Sequence, residues 1–217
     1  MAAVGKCRGE DGFFCGTSLN YAFSGGELPG TINISPLTMG LVVTDICQSL
    51  ARQGFRNILL VLGHGGTENI IVLKESLKLF LRRNPHLKNL NLALVRGGKY
   101  SPLSKKAGKE GDFHAGYNET SRMLHWAPEL VREKIVLDSR EVVEHMMKDQ
   151  DNYLEITKNV DEEELIPFMR QRPDIKVGVM GNPSKASREL GRKICEQMVD
   201  GVAGLVERIE AASKEKK

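Results

Sequence analysis

Two short polar clusters hold the side chains of this sequence that are best suited to chemistry. Residues 63–69 read Gly-His-Gly-Gly-Thr-Glu-Asn, and residues 112–121 read Asp-Phe-His-Ala-Gly-Tyr-Asn-Glu-Thr-Ser. Imidazole and carboxylate groups bind zinc and manganese, and they also act as general acids and bases. Each cluster combines both types of group in a loop-like segment. We therefore predict one shared site for metal binding or acid–base chemistry.

The first cluster follows an apolar run, residues 58–62, which predicts a buried strand that ends at a glycine. Ligands collect at the carboxyl ends of strands in open α/β sheets, so His64 is a candidate site residue. Gly63, Gly65 and Gly66 allow positive φ and a close approach of the backbone, so the imidazole can be aimed into a crevice. We also expect Thr67 to cap the next helix. The alternative interpretation of this cluster is a plain strand-to-helix turn, in which His64 bonds only to the backbone.

The second cluster combines an imidazole with two carboxylates. Asp112 and His114 are two residues apart, so they share one face if the segment is extended. Glu119 lies in the first turn of a helix that we predict over residues 117–127, near the expected strand ends. The alternative interpretation is that Asp112 and Glu119 satisfy the free backbone amides at the start of this helix. Both interpretations of the second cluster stay open at the level of sequence.

Four segments, in this order along the chain, resemble motifs of the creatininase (creatinine amidohydrolase) family. The first resembles a P-G-T-x-S-x-S turn, and the second resembles a strand followed by G-H-G-G-N, here with threonine in place of asparagine. The third resembles H-A-G-x-x-E-T-S, and the fourth resembles G-V-x-G-D-P-x-x-A-S-x-E-x-G. The four segments are residues 29–35, 58–67, 114–121 and 178–191.

The resemblance implies a three-layer α/β/α fold with a mainly parallel sheet, and a homo-oligomer between a dimer and a hexamer. It also implies a dinuclear site of Zn, Mn or Fe that hydrolyses a C–N bond, with metal-bound water attacking a carbonyl. By this resemblance His64 and Glu119 are metal ligands, and His114 is the catalytic residue that carries the proton. The substrate contacts that we expect beside them are Gly65, Gly66, Asp112 and Ser121.

A hydrolase of this kind predicts a small cyclic amide or a formamide as the substrate. The family also includes a peptidase of peptide-cofactor maturation and hydrolases of cyclic ketones in inositol breakdown, and the sequence does not choose among them. A second hypothesis, from another class, is a catalytically silent subunit that oligomerises and binds a small ligand. Metal binding at His64, His114 and Glu119 discriminates between the two hypotheses.

One segment of the family has no counterpart in this sequence. Family members begin with a strand and a loop bearing E-x-H-G-x-H-L-P and a later Asp, which supply much of the metal shell. No histidine precedes His64 here. With fewer ligands we expect weak metal binding or none. Three explanations stay open: a longer natural protein, ligands from another polypeptide, or a non-catalytic member of the family.

Composition is consistent with a single domain over residues 1–217 and argues against several classes of function. The 217 residues are 41% hydrophobic and 27% charged, as is typical of a globular protein. A net charge of +3 without a basic, aromatic stripe argues against nucleic-acid binding, and no apolar run has the roughly 20 residues that span a membrane. The four cysteines contain no C-x-x-C pair, which favours a reducing cytoplasm. The expected partners are a small-molecule substrate and copies of the chain.

The elements that position the two clusters alternate between strands and helices, which predicts a mainly parallel sheet covered by helices. The predicted strands are 13–19, 57–62, 90–95, 134–138 and 175–180. The predicted helices are 36–53, 68–83, 117–127, 140–149 and 185–212, with Ser184 as the cap of the last one. A polar, lysine-rich loop is predicted over residues 97–111.

Overall fold

The computed structural model describes Leu19, Ala22, residues 26–28 and residues 31–214. Apart from Leu19, the predicted strand 13–19 lies outside the described residues, as do the first two residues of the predicted turn over 29–35. The chain divides into two compact units. The first comprises residues 1–25 and 32–96, and the second comprises residues 26–31 and 97–217. The single domain over residues 1–217 stays a prediction.

The first unit contains helices and strands close to the predicted ranges: α1 (Pro36–Arg52), β1 (Asn57–Val61), α2 (Thr67–Arg83) and β2 (Asn91–Val95). Helix α1 begins where Ser35 Oγ accepts a hydrogen bond from the Thr38 amide at 3.1 Å, and proline occupies its first position. Strands β1 and β2 pair in parallel, from Asn57 opposite Asn91 to Val61 opposite Val95. Parallel strands need a long crossover, which α2 supplies.

The core of the first unit lies between α1, α2 and β1. On α1, Met39, Val43 and Cys47 are four residues apart and face the same way, which is the repeat of an amphipathic helix. The buried residues that meet them are Ile58 on β1 and Leu73, Leu77 and Phe80 on α2. Because burial of this face ties both helices to the strand, the core sets the position of the loop between β1 and α2.

The second unit contains mainly helices and one small antiparallel sheet. Its longer elements are α3 (Pro102–Lys109), α4 (Tyr117–Trp126), α5 (Arg140–Met146), β3 (Leu154–Thr157), β4 (Phe168–Gln171) and α6 (Arg188–Lys214). Strands β3 and β4 pair from Leu154 opposite Gln171 to Thr157 opposite Phe168. Helix α6 packs against α4. The described helices include none that is long and apolar enough to cross a membrane.

The polar loop predicted over residues 97–111 is wrong. A short 3-10 helix, Gly97–Tyr100, and α3 occupy most of this range. Ser101 Oγ accepts a hydrogen bond from the Ser104 amide at 3.0 Å, and proline follows at the first helical position. Ala107 is buried on the inner face of α3. Lys105, Lys106 and Lys109 are exposed and therefore line the outer face of a capped helix.

The strands predicted over 134–138 and 175–180 are also wrong. Both segments lack strand pairing. In the second segment, the amides of residues 176–178 donate to the Asp138 carboxylate and the Met180 amide donates to the His114 carbonyl. In the first segment, the Asp138 amide donates to the Val179 carbonyl. The strands β3 and β4 were not predicted, because each has only four residues and a charged segment joins them. The predicted cap of the last helix is wrong as well: Ser184 lies in the 3-10 helix Pro183–Lys185, and Ser187 Oγ accepts from the Leu190 amide.

Candidate functional site

His64 lies in the loop between β1 and α2 of the first unit. The parallel pairing continues past β1, because the Leu62 amide donates to the Val95 carbonyl at 2.9 Å. The chain then leaves the sheet, so His64 lies at the carboxyl end of the strand, as predicted. Its imidazole lies over Gly66, where a Cβ atom would overlap the ring. An alanine at this position would therefore displace the histidine ring from this orientation.

Asn69 supports this loop from the first turn of α2. Its side chain is 2% exposed, and its Nδ2 atom donates to the His64 carbonyl at 3.4 Å. Within the described residues its Oδ1 atom is buried without a hydrogen-bond partner. Thr67 does not cap α2: the N-cap residue is Gly66, and no side chain caps this end. The predicted cap at Thr67 is therefore wrong.

In the second unit, Asp112 caps α4. Its Oδ1 atom accepts from the Tyr117 amide and its Oδ2 atom accepts from the Asn118 amide, both at 2.9 Å. The carboxylate lies against Gly116, where a Cβ atom would be 2.5 Å from the Asp112 Cγ atom. This arrangement satisfies two of the free amides that every helix start presents.

Burial raises the pKa of the Asp112 carboxyl above its ordinary value, because water no longer stabilises the charged form. The two backbone hydrogen bonds act in the opposite direction, and the neighbouring charges of Glu119 and Glu110 add to the increase. A carboxylate held in this way contacts the helix amides with both oxygens. The structure thus contains the capping arrangement that the sequence left open, and substrate contact by Asp112 stays a prediction.

His114 and Ala115 form a left-handed turn directly before α4. Their φ angles are +49° and +62°, which non-glycine residues adopt uncommonly. The turn is held from outside, because the amides of Met180 and Gly181 donate to the His114 carbonyl at 3.0 and 2.8 Å. The backbone is not extended at His114, so the condition under which Asp112 and His114 would share one face is not met there.

Two contacts orient the His114 imidazole. Its Nε2 atom lies 2.8 Å from the Gln150 carbonyl oxygen. Its ring packs edge-on against Tyr153, with 5.5 Å between the ring centroids. A carbonyl oxygen only accepts hydrogen bonds, so Nε2 carries the proton and Nδ1 carries the lone pair of the neutral ring. The half-buried imidazole is thus oriented with Nδ1 as its basic atom.

Glu119 also serves the start of α4. Its Oε2 atom accepts from the Ala115 amide at 2.8 Å, and its Oε1 atom lies 3.9 Å from the Arg122 guanidinium. This is the reciprocal half of a capping box, in which a carboxylate in the first turn reaches back to an amide before the helix. The side chain is half exposed, so the contact with Arg122 is worth little.

Ser121 is fully buried, and its Oγ atom accepts from the Ser187 amide at 3.0 Å. This bond joins α4 to the segment that leads into α6. Gly191, in the first turn of α6, lies directly against the Ser121 carbonyl. Ser121 therefore fixes the packing of the two helices, and its predicted contact with substrate stays a prediction.

Within each unit, the described residues do not group enough donors for a resident metal ion. A zinc site needs three or four protein donors. Among residues 31–214 and the few described residues before them, no three His, Cys, Asp or Glu side chains are grouped to hold one. The carboxylates of Asp112 and Glu119 are already bound to backbone amides. His64 and Glu119 stay predicted ligands, in the first and second units respectively.

Sequence reasoning missed three residues that shape the turn at His114. Gln150 and Tyr153 orient the imidazole, and nothing in their sequence context distinguishes them. Asp138 is buried and accepts three backbone amides from residues 176–178. An acid followed by Ser139, the cap of α5, is a turn signal that argues against the strand predicted there.

A family model described as Creatininase, Creatinine amidohydrolase, matches residues 6–206 of the chain. The chain belongs to the creatininase family. The four sequence motifs had predicted this membership, which is confirmed.

Two curated relatives in this family have different named activities. The mycofactocin precursor peptide peptidase of Mycobacterium ulcerans (strain Agy99) is 26% identical over 204 residues, which cover 92% of this chain and 68% of that protein. The creatinine amidohydrolase of Pseudomonas putida is 29% identical over 198 residues, which cover 84% of this chain and 66% of that protein. The chain thus spans about two thirds of the length of these relatives.

Solved creatininase structures share the fold. A crystal structure of creatinine amidohydrolase (creatininase) matches with a TM-score of 0.64 at 24% identity, over 88% of this chain and 73% of that chain. A manganese creatininase matches with a TM-score of 0.58 at 23% identity, over 84% and 67% of the two chains. A mutant of Zn-Zn type matches with a TM-score of 0.60 at 24% identity, over 87% and 71%. The creatininase-like α/β fold predicted from the sequence is confirmed.

Proposed function

We propose that this creatininase-family chain is a hydrolase that cleaves a C–N bond in a small cyclic amide or a formamide, with His114 as the group that carries the proton. The observation that supports the proposal is the left-handed turn at His114 and Ala115. Left-handed backbone at non-glycine residues costs on the order of 1–3 kcal/mol each and tends to cluster at functional sites. Here it coincides with an imidazole in a family motif.

The surroundings of His114 suit a proton carrier. Hydrolysis of an amide requires a base for the attacking water and an acid for the leaving nitrogen, and one imidazole can serve in turn as both. Because Nε2 bonds to the Gln150 carbonyl, the exchange takes place at Nδ1. The edge-on contact with Tyr153 holds the ring in one orientation. Both contacts organise the imidazole before any substrate binds.

The named activities of the relatives support the proposed substrate class. An amidohydrolase and a peptidase are both named among them, and both names denote cleavage of an amide C–N bond. We therefore favour an amide or formamide over the cyclic ketones that other family members hydrolyse. Gly65, Gly66, Asp112 and Ser121 are the proposed substrate contacts.

Matched creatininases include a manganese form and a Zn-Zn form. We propose that the divalent ion of this chain, where bound, is Zn, Mn or Fe and that His64 and Glu119 contribute to its ligands. Two donors are too few for a structural or catalytic zinc site. We therefore expect metal loading to depend on further ligands.

The test incubates the purified chain with creatinine, an N-formyl amine and a short peptide, each with and without added Zn²⁺ or Mn²⁺. Mass spectrometry then detects the hydrolysis products. We expect turnover of at least one compound and a loss of about 10²–10⁴-fold in His114→Gln, the usual contribution of general acid–base catalysis. His125→Gln is the matched control, because this histidine is half-buried in the last turn of α4. Wild-type turnover in His114→Gln would refute the role of His114.

A second candidate function is that of a catalytically silent subunit that binds a small ligand as part of an oligomer. One observation favours it: the carboxylates of Asp112 and Glu119 are both engaged by amides of their own turn. This function predicts no turnover of any compound in the panel and less than one equivalent of metal per chain by inductively coupled plasma mass spectrometry. Light scattering then gives the size of the oligomer.

A further inference from the structure

We propose that Asp138 is a positioning residue, which holds the left-handed turn at His114 through residues 176–181. We call residues 176–181 the clamp loop. The inference rests on the proposed role of His114 and adds a residue that acts on it from a distance. No motif of the family resemblance includes Asp138.

The first half of the clamp loop is bound to the Asp138 carboxylate. Oδ1 accepts from the amides of Lys176 at 2.7 Å and Val177 at 3.0 Å, and Oδ2 accepts from the Gly178 amide at 2.6 Å. The Asp138 amide in turn donates to the Val179 carbonyl at 3.0 Å. The carboxylate is 7% exposed, so its charge strengthens these hydrogen bonds with little competition from water.

The second half of the clamp loop is bound to the turn at His114. The Met180 and Gly181 amides both donate to the His114 carbonyl. Gly181 lies so close to the turn that a Cβ atom there would be 2.5 Å from the Gly116 N and Cα atoms. These contacts between the clamp loop and the turn join backbone atoms, so a shift of the loop is passed directly to the turn.

Asp138 itself is fixed by the core of the second unit. Ser139 caps α5, and Val142 and Met146 on α5 pack in one buried cluster with Met180 of the clamp loop and Tyr153. Tyr153 is also the ring that packs against the His114 imidazole. The carboxylate, the clamp loop and the imidazole therefore share one rigid support.

Aspartate is required because three amides need acceptors. An asparagine at this position presents one carbonyl oxygen and one NH₂ group, so the amide of Gly178 or those of Lys176 and Val177 would face a donor. Gly178 has φ +86°, a conformation that glycine adopts freely, so the clamp loop can relax once this bond is lost. The Met180 and Gly181 amides would then no longer hold the His114 carbonyl, and the ring would leave its orientation.

The test is the position of the His114 ring signals in ¹H–¹³C NMR spectra of Asp138→Asn, at a temperature where circular dichroism shows the variant folded. We expect the His114 signals to shift or broaden, while those of His125 stay in place. Asp174→Asn is the matched control. It removes an exposed carboxylate two residues before the clamp loop, one that pairs with Arg172 and accepts none of the clamp-loop amides.

Unchanged His114 signals in folded Asp138→Asn, with altered amide signals in the clamp loop, would overturn the proposal and leave Asp138 a purely structural residue. If Asp138→Asn does not fold, Asp138→Glu is measured in its place, because the longer side chain keeps the charge but displaces the two acceptor oxygens. We expect the same shift of the His114 signals in this variant. The absence of that shift would overturn the proposal. The spectra require no turnover. An inactive wild type would thus refute the proposed function without affecting this result.

Discussion

Replacing Gly191 by alanine tests whether backbone contact between α4 and α6 sets the geometry of the candidate site. Gly191 lies in the first turn of α6, against the backbone of Ser121 on α4. A Cβ atom built there would be 2.5 Å from the Ser121 carbonyl carbon and 3.1 Å from the Arg122 nitrogen, and it would overlap the Ser121 oxygen. Backbone atoms cannot rotate away, so the helices must separate.

Two effects of opposite sign decide the size of the change. Alanine is favoured over glycine inside a helix by about 1 kcal/mol. Carbon atoms in contact lie roughly 3.5–4.0 Å apart, so the two backbones must separate by about 1 Å. Overpacking of a filled contact typically costs about 1–3 kcal/mol. Because the neighbour here is the rigid backbone of α4, we expect the cost of the added methyl group to lie at the upper end of that range. We expect Gly191→Ala to lower the free energy of unfolding by roughly 2 kcal/mol, the net of the two effects.

Gly204→Ala is the matched control on the same helix. The nearest atom to its new Cβ is the Arg208 Nη1 atom at 3.3 Å, the end of a flexible side chain. Only the helix preference remains, so we expect a gain of up to about 1 kcal/mol. In a chain of this length, 1 kcal/mol shifts the Tm by roughly 2–4 °C. The two variants should therefore differ by roughly 6–12 °C in Tm, in opposite directions from the wild type.

The assay is urea unfolding followed by the fluorescence of Trp126, the single tryptophan of the chain and the last residue of α4. A Gly191→Ala protein as stable as the wild type, beside a stabilised Gly204→Ala protein, would refute the close packing of α4 and α6. If both variants were less stable than the wild type, the argument from helix preference would be refuted. The contact of Gly191 with α4 would then not account for the difference in stability.

Three further predictions concern titratable groups. In Asp112→Asn, loss of one capping acceptor lowers stability by about 1 kcal/mol. Because burial raises the pKa of Asp112 in the folded chain, the unfolded chain loses this proton first and the wild type loses stability as pH rises above about 4. The difference in free energy of unfolding between the wild type and Asp112→Asn therefore shrinks as pH rises. A difference that grows between pH 3 and 6 in urea titrations would contradict the upward direction of the pKa shift of Asp112. Burial raises the pKa of Cys47 to about 11 and also raises that of Cys195. Both thiols should therefore resist iodoacetamide at pH 8 until urea unfolds the chain. Rapid labelling of either cysteine in the native chain, located by mass spectrometry, would contradict their burial. Neutral His114 should be protonated at Nε2, next to the Gln150 carbonyl, and a ¹⁵N spectrum with the proton on Nδ1 would exclude that contact.

Local sequence signals located most of the regular elements. The helices over 36–53, 68–83 and 117–127 and the strands over 57–62 and 90–95 are confirmed to within a residue or so at each end. Apolar spacing and turn residues act within a few positions of one another, so they can be read without a fold. The same signals failed where distant groups satisfy the backbone. The segment 175–180 has the apolar content of a strand, but Asp138 and His114 take its amides.

The motifs identified candidate site residues, but the roles of these residues depend on the geometry of the backbone around them. Asp112 and Glu119 are acids in a family motif, and the sequence allowed them to be either ligands or caps. In the folded chain both accept amides at the start of α4. The choice depends on the direction of the backbone at His114, which is left-handed and is imposed by residues more than sixty positions away.

By itself the sequence determined membership of the creatininase family, the α/β class and the segments that carry His64, His114 and Glu119. These properties follow from short patterns of apolar, glycine and ionisable residues, which act locally along the chain. Only the tertiary structure decided which atoms those side chains contact: the clamp-loop amides on the His114 carbonyl, the Gln150 carbonyl on its Nε2 atom, and Asp138 behind the clamp loop. These contacts join residues far apart in sequence, and they depend on packing that no local pattern encodes.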